Sequence, residues 1–285
     1  MITKITGVSE NDTYIVDSDI TGRQYRITVS LPLGYSATDD AEWPFHNTPD
    51  RWSAIYVLDG NWYAEMIAGM IRPTAWCGGT SDAIVVGIGY TENDDPVKTF
   101  QETFTRRDLD LTPIHDATTE KMMTEQHRRP VPNGDATGFL SFIRDELITF
   151  IENTYRANAD KRILAGHSYG GLFGLFALLK EPKLFESYIV GSPYLSYGER
   201  VLFQYESEYA DKNADLPATV YMYTTENEEM IDDTTFTDTI RFAVMLQSRT
   251  YANLTLMRKI FTEYNHCEVA VPGLYWGLQL ALKSN

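Results

Sequence analysis

A serine flanked by two glycines carries the most legible chemistry of this 285-residue chain, in Gly166-His167-Ser168-Tyr169-Gly170. A short apolar run (162–165) precedes this Gly-x-Ser-x-Gly pentapeptide and a long one (172–179) follows it. At a strand-to-helix junction this spacing makes a turn so tight that the serine must adopt a strained backbone, with its hydroxyl at the positive end of the helix. Glycines at 166, 170 and 171 are expected to remove the collisions such a turn creates. The plain alternative is an ordinary glycine-rich turn between a strand and a helix.

A serine hydroxyl becomes a nucleophile only when a base takes its proton, and the base needs an acid that orients it and stabilises its cation. In a strand–turn–helix site of this kind the acid and then the histidine follow the serine in the chain. His46, His115 and His127 all precede it, and His167 adjoins it on a turn expected to direct the ring elsewhere. His266 remains, in the polar segment Glu263-Tyr264-Asn265-His266. The acid is expected after the apolar run 219–223, where Glu226, Glu228, Glu229, Asp232 and Asp233 crowd together. A tight turn with the acid three residues beyond its first position favours Glu228, with Glu226 second; a Ser–His dyad would use neither. The oxyanion needs backbone N–H donors. Those of Tyr169, next to the serine, and of Asn61, in Asp59-Gly60-Asn61-Trp62, are expected to supply them. Trp62 and Tyr63 would wall an acyl pocket or simply pack the helix they begin.

The elements that must hold these residues follow from the apolar pattern. Residues 13–16 and 25–29 alternate and are β-branched, with Thr21-Gly22 between them, as in an antiparallel meander. Pro32, Gly34, Trp43-Pro44 and Thr48-Pro49 then mark a loop. Buried strands are expected over 53–58 and 83–89, further strands over 161–165, 187–190, 219–223 and 254–261, and helices over 62–71, 139–155 and 169–180. Apolar strands separated by helices imply an α/β fold whose mostly parallel sheet is covered on both faces, with the meander adding antiparallel strands at one edge. No linker or repeat divides the chain, so residues 1–285 read as one domain. Residues 91–138 are polar, of mixed charge, and carry prolines at 96, 113, 130 and 132. They read as a lid-like insertion over the active face or as a surface excursion, with little to offer the core.

Composition excludes several classes. With 40 acidic and 24 basic residues the net charge is −16, which repels phosphate backbones and anionic headgroups, so neither nucleic acid nor membrane is an expected partner. No apolar run reaches the roughly 18–20 residues of a membrane span. The start of the chain has no basic segment followed by an apolar one, and a cytoplasmic location is expected. Cys77 and Cys267 lack metal-site spacing and read as reduced, semi-buried thiols.

Four segments together carry a resemblance: Tyr56-Val57-Leu58-Asp59-Gly60-Asn61, Gly138-Phe139-Leu140 with Phe142-Ile143 and Glu146-Leu147, the elbow 166–173, and Gly191-Ser192-Pro193. In this order, from about residue 50 onward, the chain resembles the putative-esterase family, which includes esterase D, enterochelin esterases and siderophore trilactone hydrolases. The likeness is strongest to the siderophore-hydrolase branch. It implies an α/β-hydrolase fold and serine esterase chemistry with no cofactor and no metal, and it maps Ser168 and His266 onto the family's nucleophile and base. Residues 105–113 resemble the family's Arg-Asp-x-Thr-Pro loop with two extra residues, so Arg106 and Arg107 either receive an anionic substrate or are solvated counter-charges. The expected function is hydrolysis of a small carboxylic ester, of short-chain or siderophore type, through an acyl-enzyme. An acyltransferase using the same acyl-enzyme, or a binding protein on a hydrolase scaffold, are the alternatives.

Overall fold

The computed structural model describes residues 11–37, 48–91, 95–228 and 234–283. His46, the Trp43-Pro44 loop marker, and the acid candidates Glu229, Asp232 and Asp233 lie outside them. Eight strands form one sheet: β1 (Asn11–Asp17), β2 (Gln24–Ser30), β3 (Trp52–Val57), β4 (Ala83–Tyr90), β5 (Ala157–His167), β6 (Ser187–Gly191), β7 (Asp215–Asn227) and β8 (Ala252–Asn265). Their order across the sheet is β1-β2-β4-β3-β5-β6-β7-β8. β1 and β2 pair antiparallel, as does β2 with β4, and every pairing from β4 to β8 is parallel. This is the α/β-hydrolase fold expected from the sequence, including the antiparallel edge.

The period-2 alternation of the central strands decides which side chains face which helices. Ala54, Tyr56, Leu164, Tyr188 and Val190 point to one face. They pack there under α4 (Ala136–Ser141), α6 (Tyr169–Lys180), α7 (Tyr197–Ala210) and α8 (Thr235–Ser248). Ile55, Val57, Ile163, Ala165 and Ile189 point to the other, under α1 (Gly60–Trp76) and α9 (Ala270–Ala281). Because β3 to β7 are buried on both sides, they read as continuous apolar runs rather than alternating ones.

Residues 91–138 depart from expectation. They carry two helices, α2 (Pro96–Leu111) and α3 (Ala117–His127), and they do reach the core, since Leu111 and Val131 are buried. Asp95 caps α2 by accepting from the N–H groups of Val97 and Lys98, and Asp116 caps α3 by accepting from Thr118 and Thr119. The single amphipathic helix expected over 139–155 is instead α4, a π-helical segment (Phe142–Leu147) and α5 (Ile148–Thr154). Both cysteines are free and exposed rather than semi-buried. No helix of the described residues is long and apolar enough to cross a membrane.

Candidate active site

β5 runs into the elbow and α6 leaves it. Ser168, between them, has φ 61° and ψ −119°, a combination that costs a non-glycine residue of order 1–3 kcal/mol. The surroundings hold it there: its N–H donates to the Gly191 carbonyl at 2.8 Å, and its carbonyl accepts from Leu172 N–H at 2.9 Å. A Cβ at Gly166 would strike the Gly170 carbonyl, and one at Gly171 would sit 2.5 Å from the Gly191 carbonyl oxygen. Gly170 differs from the expectation, because a Cβ there would meet its neighbours only at an ordinary 3.5 Å. The close approach of strand, turn and helix therefore depends on Gly166 and Gly171.

His266 lies just past β8, in a turn fixed at both ends. Asn265 Oδ1 accepts from the N–H groups of Cys267 and Glu268 at 3.0 Å, while Glu268 Oε2 accepts from Asn265 N–H at 3.0 Å. This reciprocal pair is the geometry of a capping box. The His266 ring is buried, and its Nδ1 lies 2.5 Å from Glu228 Oε2. The second Glu228 oxygen accepts from Thr224 Oγ1 at 2.9 Å and from Thr225 N–H at 3.3 Å. Burial pushes the Glu228 carboxyl up, but the His266 imidazole and the Ser192 and Thr224 hydroxyls outweigh it and leave the carboxyl below the usual range. Glu226 is exposed and stands apart from this pair. His266 Nε2, the nitrogen that would face a substrate or the serine, is buried and has no hydrogen-bond partner.

Ser168 and His266 line one cavity of about 410 Å³. Trp62 and Tyr63 of α1, Phe104 of α2, and Met122 and Met123 of α3 form much of the rest. Tyr169 opens α6, and Asn61 is the second residue of α1, so both backbone N–H groups belong to first helical turns, where no intrahelical acceptor exists. Asn61 itself does not line the cavity; its side chain bridges to β4, donating to the Tyr90 carbonyl at 2.9 Å and accepting from Tyr90 N–H at 2.6 Å. The loop that carries it is anchored by Asp59, at φ 51° and ψ 43°.

Arg107 of α2 lines the cavity and is buried rather than solvated. Its Nε and Nη2 each donate to one Asp59 oxygen at 2.9 Å, the two-pronged geometry that suits a guanidinium. Its plane lies 5.2 Å from the Tyr169 ring and 5.7 Å from that of Trp62. Arg106 is not among the residues that line the cavity, and its Nη1 donates to Thr91 Oγ1 at 2.7 Å. The Arg107–Asp59 pair escaped the sequence reading, although a buried arginine beside the elbow is foreshadowed by Leu58-Asp59-Gly60, which leaves one carboxylate inside an apolar strand end.

His167 also departs from expectation, since its ring lines the cavity, with its centroid 4.7 Å from that of His266. Its Nδ1 lies 3.2 Å from the Tyr223 hydroxyl. Burial and the neighbouring His266 ring hold the His167 imidazole down at about 3, so it stays neutral at ordinary pH. Among the remaining histidines, His115 pairs with Glu120 at the surface and His127 stacks on Phe104.

The chain is similar to known proteins in sequence and in fold. Residues 18–234 match the family described as Putative esterase. The siderophore enterobactin esterase of Emericella nidulans is 31% identical over 179 residues, 62% of this chain and 55% of that protein. The ferri-bacillibactin esterase BesA of Bacillus subtilis is 31% identical over 156 residues, 53% of this chain and 50% of that protein. The chain thus spans about half the length of the curated relatives it matches. Among solved structures, the BES protein from Bacillus cereus superimposes with a TM-score of 0.80 at 22% identity, over 99% of both chains, a likeness of fold.

Proposed function

The chain belongs to the family described as Putative esterase, and from that premise we propose that it is a serine carboxylic-ester hydrolase acting on short-chain or siderophore-type esters. The observation that carries the proposal is the buried Glu228–His266 pair at 2.5 Å, whose unpartnered Nε2 shares a cavity with a serine held at positive φ.

Ser168 Oγ attacks the ester carbonyl carbon while His266 Nε2 takes the hydroxyl proton. Glu228 fixes the tautomer that leaves Nε2 unprotonated and stabilises the imidazolium that results. The carbonyl oxygen becomes an oxyanion held by the Tyr169 N–H at the start of α6, such a donor being worth about 2.7–4 kcal/mol in the transition state, whereas Asn61, expected as the second donor, does not line the cavity. The tetrahedral species collapses as His266 returns the proton to the departing alcohol, leaving an acyl-serine. Water, deprotonated by the same nitrogen, attacks the acyl carbon, and release of the acid restores Ser168. Trp62, Tyr63 and the residues of α2 and α3 enclose the acyl part, so that 91–138 acts as a lid-like insertion of the hydrolase domain. The siderophore class is supported by the names of the relatives.

Treatment with a serine-reactive phosphonate, followed by mass spectrometry of the digested protein, tests the reading. Label is expected on Ser168 and is expected to be lost from His266→Ala at matched times. Folded protein that carries no label at Ser168 would contradict it.

A further inference from the structure

Among the ionisable groups of the cavity that the mechanism does not use is one carboxylate. Asp108, on α2, lines the same cavity as Ser168 and His266, yet it is 2% exposed, and neither carboxylate oxygen has a hydrogen-bond partner. Its sequence neighbour Arg107 does not relieve it, because both prongs of that guanidinium are committed to Asp59. The contrast with Asp110, two residues on, is plain: there Arg23 lies 2.7 Å from Oδ1, and the Tyr25 hydroxyl donates at 3.2 Å. A buried carboxylate with no donor is costly and is expected to be paired or removed unless something else approaches it. Burial pushes the Asp108 carboxyl up to about 7 against the pull of Arg107, with Asp59 adding to the rise.

We infer that Asp108 is a specificity-determining residue that accepts a hydrogen bond from a donor group of the substrate, a hydroxyl or an ammonium, and so favours such esters over those whose acyl part is plain hydrocarbon. This inference rests on the esterase reading for its substrate class, although the acceptor itself stands on the cavity geometry alone. Trp62, Phe104 and Met122 make apolar stretches of the wall, and Asp108 is the one carboxylate among the polar residues that share it, Arg107, Gln126 and His167 included. A donor-bearing acyl group satisfies that carboxylate. A plain one leaves it unpaired, as it is in the free protein, so only the donor-bearing ester gains, on the order of tenfold or more.

Two substrate pairs separate the possible donors: p-nitrophenyl propanoate against the 3-aminopropanoate, and the butanoate against the 3-hydroxybutanoate. After correction for spontaneous hydrolysis, the donor-bearing member of a pair is expected to have the higher kcat/KM in the native protein. Asp108→Ala is expected to lower that ratio about tenfold or more, through loss of rate on the donor-bearing ester alone. Asp108→Asn distinguishes the sources, since it retains an acceptor for a hydroxyl but loses the charge that holds an ammonium. A ratio that falls only in the alanine variant identifies a hydroxyl, and one that falls in both identifies an ammonium. Ratios unchanged within twofold in both variants overturn the inference, even if ester turnover itself is sound.

Binding supplies a readout that does not need turnover. With Ser168→Ala protein the corresponding methyl esters stay intact, and their dissociation constants follow from NMR titration. Donor-bearing esters are expected to bind about tenfold more tightly than plain ones, with the difference lost on adding Asp108→Ala. Equal binding in the two proteins overturns the inference whether or not the native chain hydrolyses esters.

Discussion

At the scale of single residues, the contact that most constrains the chemistry is the one between Glu228 Oε2 and His266 Nδ1. A glutamine at 228 keeps the shape but offers either the wrong tautomer partner or no charge for the imidazolium. Glu228→Gln is therefore expected to lower kcat by about 10²–10⁴-fold with a much smaller change in KM, as read in steady-state kinetics on a soluble ester. A variant within threefold of the native rate would mean that His266 works without an acid. Chain order alone made Ser168 and His266 readable, because four of the five histidines could be set aside by position or by adjacency. Choosing between Glu226 and Glu228 needed more than spacing. On a regular strand, residues two apart share a face, yet Glu226 is exposed and Glu228 buried. β7 runs on to Asn227, and its register against β8 shifts between Thr225 and Asn227, an irregularity that re-aims the side chains beyond it. No propensity marks such a shift in advance.

At the scale of elements, two buried charge contacts hold α2 against the sheet. Arg107 ties it to the loop before α1. Asp110 ties it to Arg23 and Tyr25 at the start of β2, where Arg23 also reaches Asp135 at 2.7 Å. Replacing Arg107 by methionine leaves Asp59 buried and unpaired, and about 3–5 kcal/mol of stability is expected to go with it in urea unfolding. Combining it with Asp59→Asn is expected to cost less than the two changes summed. Strict additivity would mean that the pair does not couple. Asp110 makes a second prediction. Burial pushes its carboxyl up to about 7 against the pull of Arg23 and the Tyr25 hydroxyl, above the roughly 3.9 of an unfolded aspartate. The folded state then binds that proton more tightly, so the contribution is complete below about pH 4 and is lost as pH rises towards 7. Asp110→Asn is expected to flatten the decline in unfolding free energy between pH 4 and 7; an unchanged slope would show that Asp110 titrates normally. The same polar residues explain why α2 was not legible. Arg107, Asp108 and Asp110 occupy its buried side, so the apolar period that betrays a helix is missing there. The capping residues Asp95 and Asp116, with Pro96 at the first helical position, were the signal still available.

At the scale of the whole molecule, apolar runs and their separations were enough to foretell a mostly parallel sheet with an antiparallel edge. The order in which β3 and β4 cross was not foretold, since a crossover leaves no mark on either strand's composition. The cavity is likewise a property of the assembled chain, drawing on α1, α2, α3, the elbow and the turn after β8. A space of about 410 Å³, roofed by α2 and α3, admits a short acyl group more readily than a long one. Initial rates on p-nitrophenyl esters from acetyl to dodecanoyl, with Ser168→Ala alongside, therefore test the central claim most directly. Turnover that falls steeply with chain length and disappears in Ser168→Ala is the predicted result. Equal turnover by native protein and Ser168→Ala would contradict it.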